Sequence, residues 1–345
     1  GDYSFGDCDS ITSVQLNNKT LGSGAFKDCG NLKTVIIGIY LIELNDRTFE
    51  NCASLETVTS NARIEIVKEY TFNNCENLTN VTFENLALKD IGPSAFFGCK
   101  KLETISNIDN VKIIEKYAFF GAFDNEKAVG LSFKNTTWIG DFAFSECNLW
   151  SVTFNSEIEH IGLQAFSNSH LSSINLDRMT NNRYYCTVDG VLIDRYNGTL
   201  LQYPLHRPGD ESGRYIIQDS EGISIRIIGD SSFAGNQTLK EIIVGKDVVE
   251  IGDMAFYDCQ YLEEVEIGEG VETIGVSAFS CSTSQLSSVD SRLTSVTIGN
   301  NVRSIGDSAF EGCKRLKEVV FGESIEHIGI NAFSDCESLE HVGMH

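Results

Sequence analysis

The stretch LEEVEIGEGVETIGVSAF, from Leu262 to Phe279, decides the fold of this chain. Within it Val265 and Ile267 alternate with glutamates, which predicts a short strand with one buried face. The segment that follows has room only for turns, and the Ala-Phe pair at its end suits a single helical or 3-10 turn. The apolar positions of the unit are Leu262, Val265, Ile267, Val271, Ile274, Ala278 and Phe279.

The same unit recurs through all 345 residues, most often at a spacing of 23, and a marker phenylalanine identifies each of thirteen copies. A unit of this size cannot bury its apolar face alone, so successive coils must stack around one linear core. The sequence therefore predicts a β-rich α/β solenoid with a parallel sheet on one face and short helical or 3-10 turns on the other. The markers are Phe5, Phe26, Phe49, Phe72, Phe96, Phe119, Phe144, Phe166, Phe233, Phe256, Phe279, Phe310 and Phe333.

A glycine stands four residues before the marker phenylalanine in ten of the thirteen units, and Asn45 takes this place in an eleventh. Glycine and asparagine both tolerate a positive φ. We therefore expect a left-handed backbone at this position, although Lys68 and Glu115 show that other residues are accepted there. The residue directly before the marker is always Ala, Ser or Thr, which leaves room for the backbone of a neighbouring coil.

Nine of the eleven cysteines lie three residues after a marker phenylalanine. This spacing predicts a ladder of inward, reduced thiols that bond to backbone groups. Disulfides are the alternative, but the Cβ vectors of equivalent positions run parallel, and there is no paired C-x-x-C motif for zinc. The ladder cysteines are Cys8, Cys29, Cys52, Cys75, Cys99, Cys147, Cys259, Cys313 and Cys336. The other four units place Ala122, Ser169, Asn236 and Ser282 there, while Cys186 and Cys281 lie off the ladder.

The pattern L-x-x-V-x-I, followed by V-x-x-I-G-x-x-A-F-x-x-C, resembles the BspA-like class of leucine-rich repeats and covers nearly the whole chain. Members of that family are typically secreted or displayed on the surface of host-associated anaerobic bacteria and some parasitic protists. The resemblance implies an extracellular or cell-surface location and adhesion to host or microbial macromolecules. It implies no catalytic residue.

The gap between Phe166 and Phe233 holds one repeat and an insertion of about 44 residues. Two dipeptides in it, Asp189-Gly190 and Asn197-Gly198, predict two-residue hairpin turns. They separate three alternating segments and so predict a small antiparallel meander that protrudes from the solenoid. We therefore divide one continuous domain into N-terminal coils at 1–176, the insertion at 177–222 and C-terminal coils at 223–345.

The insertion holds five of the eleven tyrosines and five arginines, Arg178 among them. This composition is typical of binding hot spots, so we expect a binding surface there. The alternative is that the aromatic rings fasten the insertion to the solenoid and the arginines pair with nearby acids. The candidate binding residues are Tyr184, Tyr185, Arg195, Tyr196, Tyr203 and Arg207.

A second candidate surface is the concave face of the predicted sheet, where outward strand positions carry hydroxyl side chains in the N-terminal half. Such a stripe suits a glycan or an extended peptide, but Ser and Thr are also ordinary residues of an exposed strand. A further serine-rich segment, CSTSQLSSVDSRL, follows Phe279 and predicts a surface loop. The stripe residues are Thr59, Thr82, Ser106, Ser132 and Thr153.

The composition limits the possible partners. With 49 acidic and 26 basic residues the net charge is −23, which disfavours nucleic acid and anionic membranes. No apolar run is long enough to span a bilayer, and none of the common catalytic motifs is present. We expect a monomeric, non-enzymatic module that binds a protein or a glycan without cofactor or metal. The alternative is a passive spacer that displays another domain.

The ends of the chain do not coincide with the ends of the repeat. Gly1 begins halfway through a unit, and His345 ends within a strand segment. A solenoid needs a cap at each end of its core. We therefore expect the chain to be part of a longer protein.

Overall fold

The computed structural model describes residues 1–84, 86–124, 129–176, 182–207, 212–218, 222–281 and 290–344. The chain forms two compact units. Unit 1 comprises Gly1–Leu171 and Asn175–Arg183, and unit 2 comprises Ser172–Ile174 and Tyr184–His345. Each unit is a stack of coils in which a four-residue strand is usually followed by a two-residue strand and a turn.

In unit 1 the long strands β1, β2, β4, β6 and β8 pair in parallel, as do β10 and β12. The short strands β3, β5, β7, β9, β11 and β13 form a second parallel sheet. The strands are β1 (Ser13–Leu16), β2 (Thr34–Ile37), β3 (Glu43–Leu44), β4 (Thr57–Ser60), β5 (Ile66–Val67), β6 (Asn80–Phe83), β7 (Asp90–Ile91), β8 (Thr104–Ile105), β9 (Ile113–Ile114), β10 (Val129–Phe133), β11 (Trp138–Ile139), β12 (Leu149–Phe154) and β13 (His160–Ile161). The next strand, β14 (Ser173–Leu176), has two residues in each unit.

In unit 2 one sheet contains the six long strands β18, β20, β22, β24, β26 and β28, all parallel. The other has the order β15-β16-β17-β19-β21-β23-β25-β27. The strands are β15 (Tyr185–Val188), β16 (Val191–Asp194), β17 (Thr199–Gln202), β18 (Arg214–Ile217), β19 (Ile227–Ile228), β20 (Glu241–Val244), β21 (Glu250–Ile251), β22 (Glu264–Ile267), β23 (Thr273–Ile274), β24 (Ser295–Ile298), β25 (Ser304–Ile305), β26 (Glu318–Phe321), β27 (His327–Ile328) and β28 (His341–Met344).

The long strands bury alternate residues, as the sequence predicts. In β22, Val265 and Ile267 are buried while Glu264 and Glu266 are exposed. Val265 lies in register with Ile242 of the preceding coil and Val296 of the following one. A solenoid of about thirteen coils is therefore confirmed, and in unit 2 the apolar core runs from one coil to the next.

The turn around each marker phenylalanine is not helical, so the predicted α/β character and 3-10 turns are not confirmed. Among the described residues there is no α-helix, and the single 3-10 helix, Ile108–Asn110, lies outside these turns. Left-handed residues stand two before the marker in every unit and two after it in twelve units, which interrupts any helical run. Alternate N–H groups of the turn instead donate to carbonyls of the next coil. In one coil Met254, Phe256 and Asp258 donate to Val276, Ala278 and Ser280, at N···O distances of 2.7–2.8 Å.

The recurrence of glycine four residues before the marker has a different cause from the one predicted. None of these glycines has a positive φ. A Cβ at Gly140 would lie 2.4 Å from the backbone nitrogen of Lys116, and one at Gly275 would lie 2.5 Å from the carbonyl carbon of Gly252. The position therefore favours glycine because the preceding coil approaches it closely, and the prediction of a left-handed backbone there was wrong.

The marker rings stack along each unit. Phe256 lies between Phe233 and Phe279, with ring centroids 4.7 and 4.9 Å away and nearly parallel planes. This distance is close to the spacing of paired strands, so ring stacking and backbone pairing fit the same coil repeat. Each internal marker ring is buried.

The thiols follow the same repeat, and all eleven cysteines are unpaired. Cys52 donates to the carbonyl of Phe26 at 3.1 Å, and each other ladder thiol from Cys29 onward bonds to the preceding marker carbonyl in the same way. Ser169 fills the slot with a hydroxyl that donates to Phe144 at 2.6 Å. Burial raises the pKa of Cys52 to about 12. Position 282, the slot of the Phe279 coil, lies outside the described residues.

We predict that Phe256→Ala lowers the free energy of unfolding by about 3–5 kcal/mol, because it removes a buried ring from between two others. Glu272→Ala, in an exposed position of the next coil, should change it by less than about 0.5 kcal/mol. Urea unfolding of the two variants measures both effects. Equal losses of stability would show that the assignment of inward and outward positions is wrong.

We also predict a loss of stability in alkali. A ladder thiol whose pKa is raised in the folded chain stays protonated when its unfolded counterpart ionises near pH 9. The free energy of unfolding should therefore fall as pH rises above 9, by up to about 1.4 kcal/mol per pH unit for each such thiol. Urea midpoints below and above pH 9 test this, and Cys75→Ser should make the fall smaller. An unchanged pH dependence in that variant would contradict the explanation.

Candidate binding surfaces

The insertion forms the predicted meander. Strands β15, β16 and β17 are antiparallel, and Val188 pairs with Val191 across a turn whose Asp189 and Gly190 both have positive φ. The third strand, however, continues into the solenoid, because β17 pairs in parallel with β19 through Leu200 and Ile228. The meander therefore begins a sheet of unit 2, and the prediction that it protrudes was wrong.

Tyr203, one of the predicted binding residues, occupies the place of a marker phenylalanine. Its ring stacks on Phe233 with centroids 4.8 Å apart, and its N–H donates to the carbonyl of Ser232 at 2.8 Å. Only 1% of its surface is exposed. Tyr185 is also buried, at 7%. Both rings are buried in the core. Their position fits the alternative stated above, in which aromatic rings fasten the insertion to the solenoid, and does not fit a binding surface.

Arg207 is held within unit 2. Its guanidinium lies 5.8 Å from the ring centroid of Tyr203 and 5.5 Å from that of Tyr215, and Nη2 is 3.3 Å from Oδ2 of Asp189. Burial raises the pKa of Tyr215 to about 12. Because Asp189 lies in the β15–β16 turn, Arg207 fastens that turn to the aromatic core.

The remaining candidates are exposed, and two of them line one cleft. Tyr196 is 94% exposed, the most accessible of the large hydrophobic side chains in the described chain. It borders a cavity of about 500 Å³ together with Arg195 and Arg226, and no carboxylate is among the described residues that line it. Tyr184, at 39% exposure, packs beside Tyr185 outside this cleft.

The loop between β16 and β17 presents these side chains. β16 ends at Asp194, because Oδ1 of Asp194 accepts the N–H of Tyr196 at 2.7 Å. The turn therefore begins before the predicted Asn197-Gly198 dipeptide. Gly198 has φ +72° and a Cβ there would lie 2.4 Å from the carbonyl oxygen of Ser224. Its own carbonyl accepts the N–H of Arg226 at 2.8 Å, which places Arg226 against the loop.

Neither arginine of the cleft forms an ion pair with a carboxylate in the described part of the chain. Arg195 instead lies beside the buried thiol of Cys186 and acts to lower its pKa, although burial is the larger effect and raises it. The guanidinium groups thus remain available for forked hydrogen bonds to an anionic or polar ligand. Sequence reasoning missed Arg226, which lies outside the insertion in sequence.

The predicted hydroxyl stripe is interrupted. Thr59 and Thr82 are in register on β4 and β6, and Ser132 and Thr153 are in register on β10 and β12. Ser106 is different, because its hydroxyl bonds to the backbone N–H and carbonyl of Phe83, at 2.6 and 2.9 Å. The stripe is therefore two separate pairs of residues, with Ser106 engaged in the edge of the first sheet.

Some predicted features cannot be located. Arg178 and most of the serine-rich segment, residues 282–289, lie outside the described residues. Within the described ranges, no group of three or more His, Cys, Asp or Glu side chains is arranged to hold a metal ion. The same ranges contain no apolar helix of a length that crosses a bilayer.

Comparisons with solved structures show the same fold in bacterial proteins. A leucine rich cell surface protein from Faecalibacterium prausnitzii matches with a TM-score of 0.64 and 22% identity over 97% of this chain and 83% of that one. The pneumococcal vaccine antigen PcpA matches with 0.63 and 20% over 96% and 71%. A leucine-rich repeat protein from Eubacterium ventriosum matches with 0.57 and 19% over 88% and 83%. At these identities the likeness concerns the fold.

The family comparison covers almost the entire sequence. No protein with a curated description matches the chain. The family model for the BspA type leucine rich repeat region matches residues 1–123, 120–187, 220–291 and 289–345. The chain therefore belongs to the family of BspA-type leucine-rich repeat proteins.

Proposed function

We propose that this chain is a non-enzymatic recognition module of the cell surface or extracellular space, and that it binds a protein partner through the cleft beside Tyr196. The observation that carries the proposal is the exposure of a tyrosine at 94% between two arginines without carboxylate partners in the described chain. Exposed Tyr and Arg supply much of the energy at protein interfaces. The partner would present carboxylates next to an apolar side chain.

The family and the fold support a binding role rather than catalysis. Leucine-rich repeat scaffolds stack identical coils, so their chemistry lies in the variable outward positions. The structural relatives include one described as a cell surface protein and one described as a vaccine antigen, which supports a surface location. Adhesion to host or neighbouring cells is the role that we propose for such a module.

The charge of the chain makes the cleft distinctive. The net charge is −23, so most of the surface repels an acidic partner, whereas the cleft attracts one. Attraction of this kind selects the orientation of the partner and raises the rate of association. An anionic glycan would use the same arginines but would not need the tyrosine ring in the same way.

We predict that a partner found on a panel of purified extracellular matrix proteins and acidic or neutral glycans binds Tyr196→Ala about 30-fold more weakly, a loss of about 2 kcal/mol. Arg195→Ala and Arg226→Ala should also weaken binding and reduce its dependence on salt. Tyr40→Ala, which removes a tyrosine 53% exposed in unit 1, is the matched control and should bind normally. Surface plasmon resonance measures all four affinities.

Two results would contradict this assignment. Equal weakening by Tyr40→Ala would show that the effect is not specific to the cleft. Unchanged binding by all three cleft variants would move the site elsewhere, with the pair Thr59 and Thr82 as the next candidate. Absence of saturable binding to every member of the panel would favour the passive spacer.

The two tyrosines of the insertion should separate binding from folding. Tyr203→Ala is expected to cost about 3–5 kcal/mol of stability, because it removes a buried ring. Tyr196→Ala should change stability by less than about 0.5 kcal/mol. Thermal and urea unfolding of the two variants provide the comparison. A fall in melting temperature for Tyr196→Ala would mean that this ring is part of the fold.

A further inference from the structure

The marker turn of Phe279 departs from the other turns at one residue. Two residues after the marker, the backbone has a positive φ in every unit except this one, where Cys281 stands. The N–H of Cys281 still donates to the following coil, at 2.9 Å from the carbonyl oxygen of Glu311. The left-handed residues at this position in the other units are Asp7, Asp28, Asn51, Asn74, Gly98, Gly121, Glu146, Asn168, Gly235, Asp258, Gly312 and Asp335.

This departure brings a second thiol to the cysteine ladder. Cys281 is buried, with only 6% of its surface exposed, and its Sγ lies 3.8 Å from the carbonyl oxygen of Phe279. The ladder thiol of the next coil, Cys313, lies 3.3 Å from the same oxygen. Two sulfur atoms therefore converge on one carbonyl, whereas the marker carbonyls of Phe26 and Phe49 each receive a single thiol.

The two thiols also interact directly. When Cys281 ionises, its thiolate accepts hydrogen bonds from Cys313 and Ser291, and this lowers the pKa of Cys281 even though the group is buried. The same hydrogen bond raises the pKa of Cys313, and burial adds to the effect. Cys281 is therefore the member of the pair that becomes a thiolate first, and the thiolate is the nucleophile in exchange with a disulfide.

We propose that Cys281 and Cys313 form a redox-sensitive pair, which a low-molecular-weight disulfide oxidises to an intramolecular disulfide. The Cys281 thiolate attacks one sulfur of the external disulfide, and one small thiolate leaves. The sulfur of Cys313, after losing its proton, then attacks Sγ of Cys281 in the mixed disulfide, and the second small thiolate leaves. Two protein thiols are oxidised, one external disulfide is reduced, and two small thiols are released.

The regular ladder provides the contrast. Cys52 and Cys75 also belong to adjacent coils, but each donates to its own carbonyl, at 3.1 Å in both cases. Burial raises both pKa values, and a backbone N–H of the preceding ladder cysteine offsets only part of that rise. A disulfide needs two side chains that converge and one sulfur that is a thiolate. The parallel, protonated thiols of the regular ladder meet neither requirement. The structure therefore assigns the reactivity to one pair.

The test treats the folded, reduced chain with oxidised glutathione, alkylates the remaining thiols after unfolding, and maps non-reduced peptides by mass spectrometry. We expect one disulfide, between Cys281 and Cys313, nine alkylated cysteines, and two molecules of reduced glutathione per chain. Cys75→Ser is the matched control and should give the same disulfide. Cys281→Ser should leave all ten remaining thiols reduced.

A further variant separates the two steps. Cys313→Ser keeps the ladder bond, because Ser169 already fills an equivalent slot, so the chain should fold. It should retain glutathione on Cys281 as a stable mixed disulfide. The proposal is overturned if glutathione leaves all eleven thiols of the native chain reduced, or if the disulfide forms between regular ladder neighbours such as Cys52 and Cys75.

Discussion

The hydrogen bonds between the marker turns of successive coils are the constraint on which the rest of the structure depends. Each left-handed residue other than glycine costs about 1–2 kcal/mol, and a turn usually contains two. Three hydrogen bonds to the next coil, each contributing about 0.5–1.5 kcal/mol, and a buried, stacked ring together offset that cost. Since these bonds form only between coils, an isolated turn would not be stable in this conformation. The free energy that stabilises each turn therefore comes from its contacts with neighbouring coils.

The periodic part of the fold was predictable, because buried side chains repeat with the coil. Val265 and Ile267 of β22, the marker rings and the ladder thiols all follow from spacing alone. The turn conformation was not predictable, because Met254 and Asp258 are ordinary residues whose left-handed backbone is imposed by bonds to the next coil. The recurrence of glycine four residues before the marker does have a structural cause. That cause is the close approach of two backbones, as at Gly140 and Gly275, and not a preference for a positive φ.

The sequence predicted which residue types form the candidate site, but not which of their side chains are exposed. Tyr203 and Tyr196 are equally plausible contact residues in the sequence, yet one is 1% exposed and the other 94%. Tyr203 takes the place of a marker phenylalanine but lies at an irregular spacing from its neighbours, so the sequence pattern does not identify its coil. The insertion was therefore predicted to be separate from the solenoid, although its last strand, β17, pairs with β19. Arg226 joins the cleft because parallel pairing of β17 and β19 brings it beside Gly198, a proximity that no local pattern contains.

The position two residues before each marker is left-handed in every unit, yet it accepts residues as different as Arg47, Phe142 and Asn331. The backbone there is fixed by hydrogen bonds to the neighbouring coil, and the position tolerates polar, charged and aromatic side chains. Substitutions at these sites can accumulate without disturbing the register of the stack. The turns thus present side chains at regular intervals, and the chemistry of these side chains can differ from coil to coil while the scaffold beneath them stays the same.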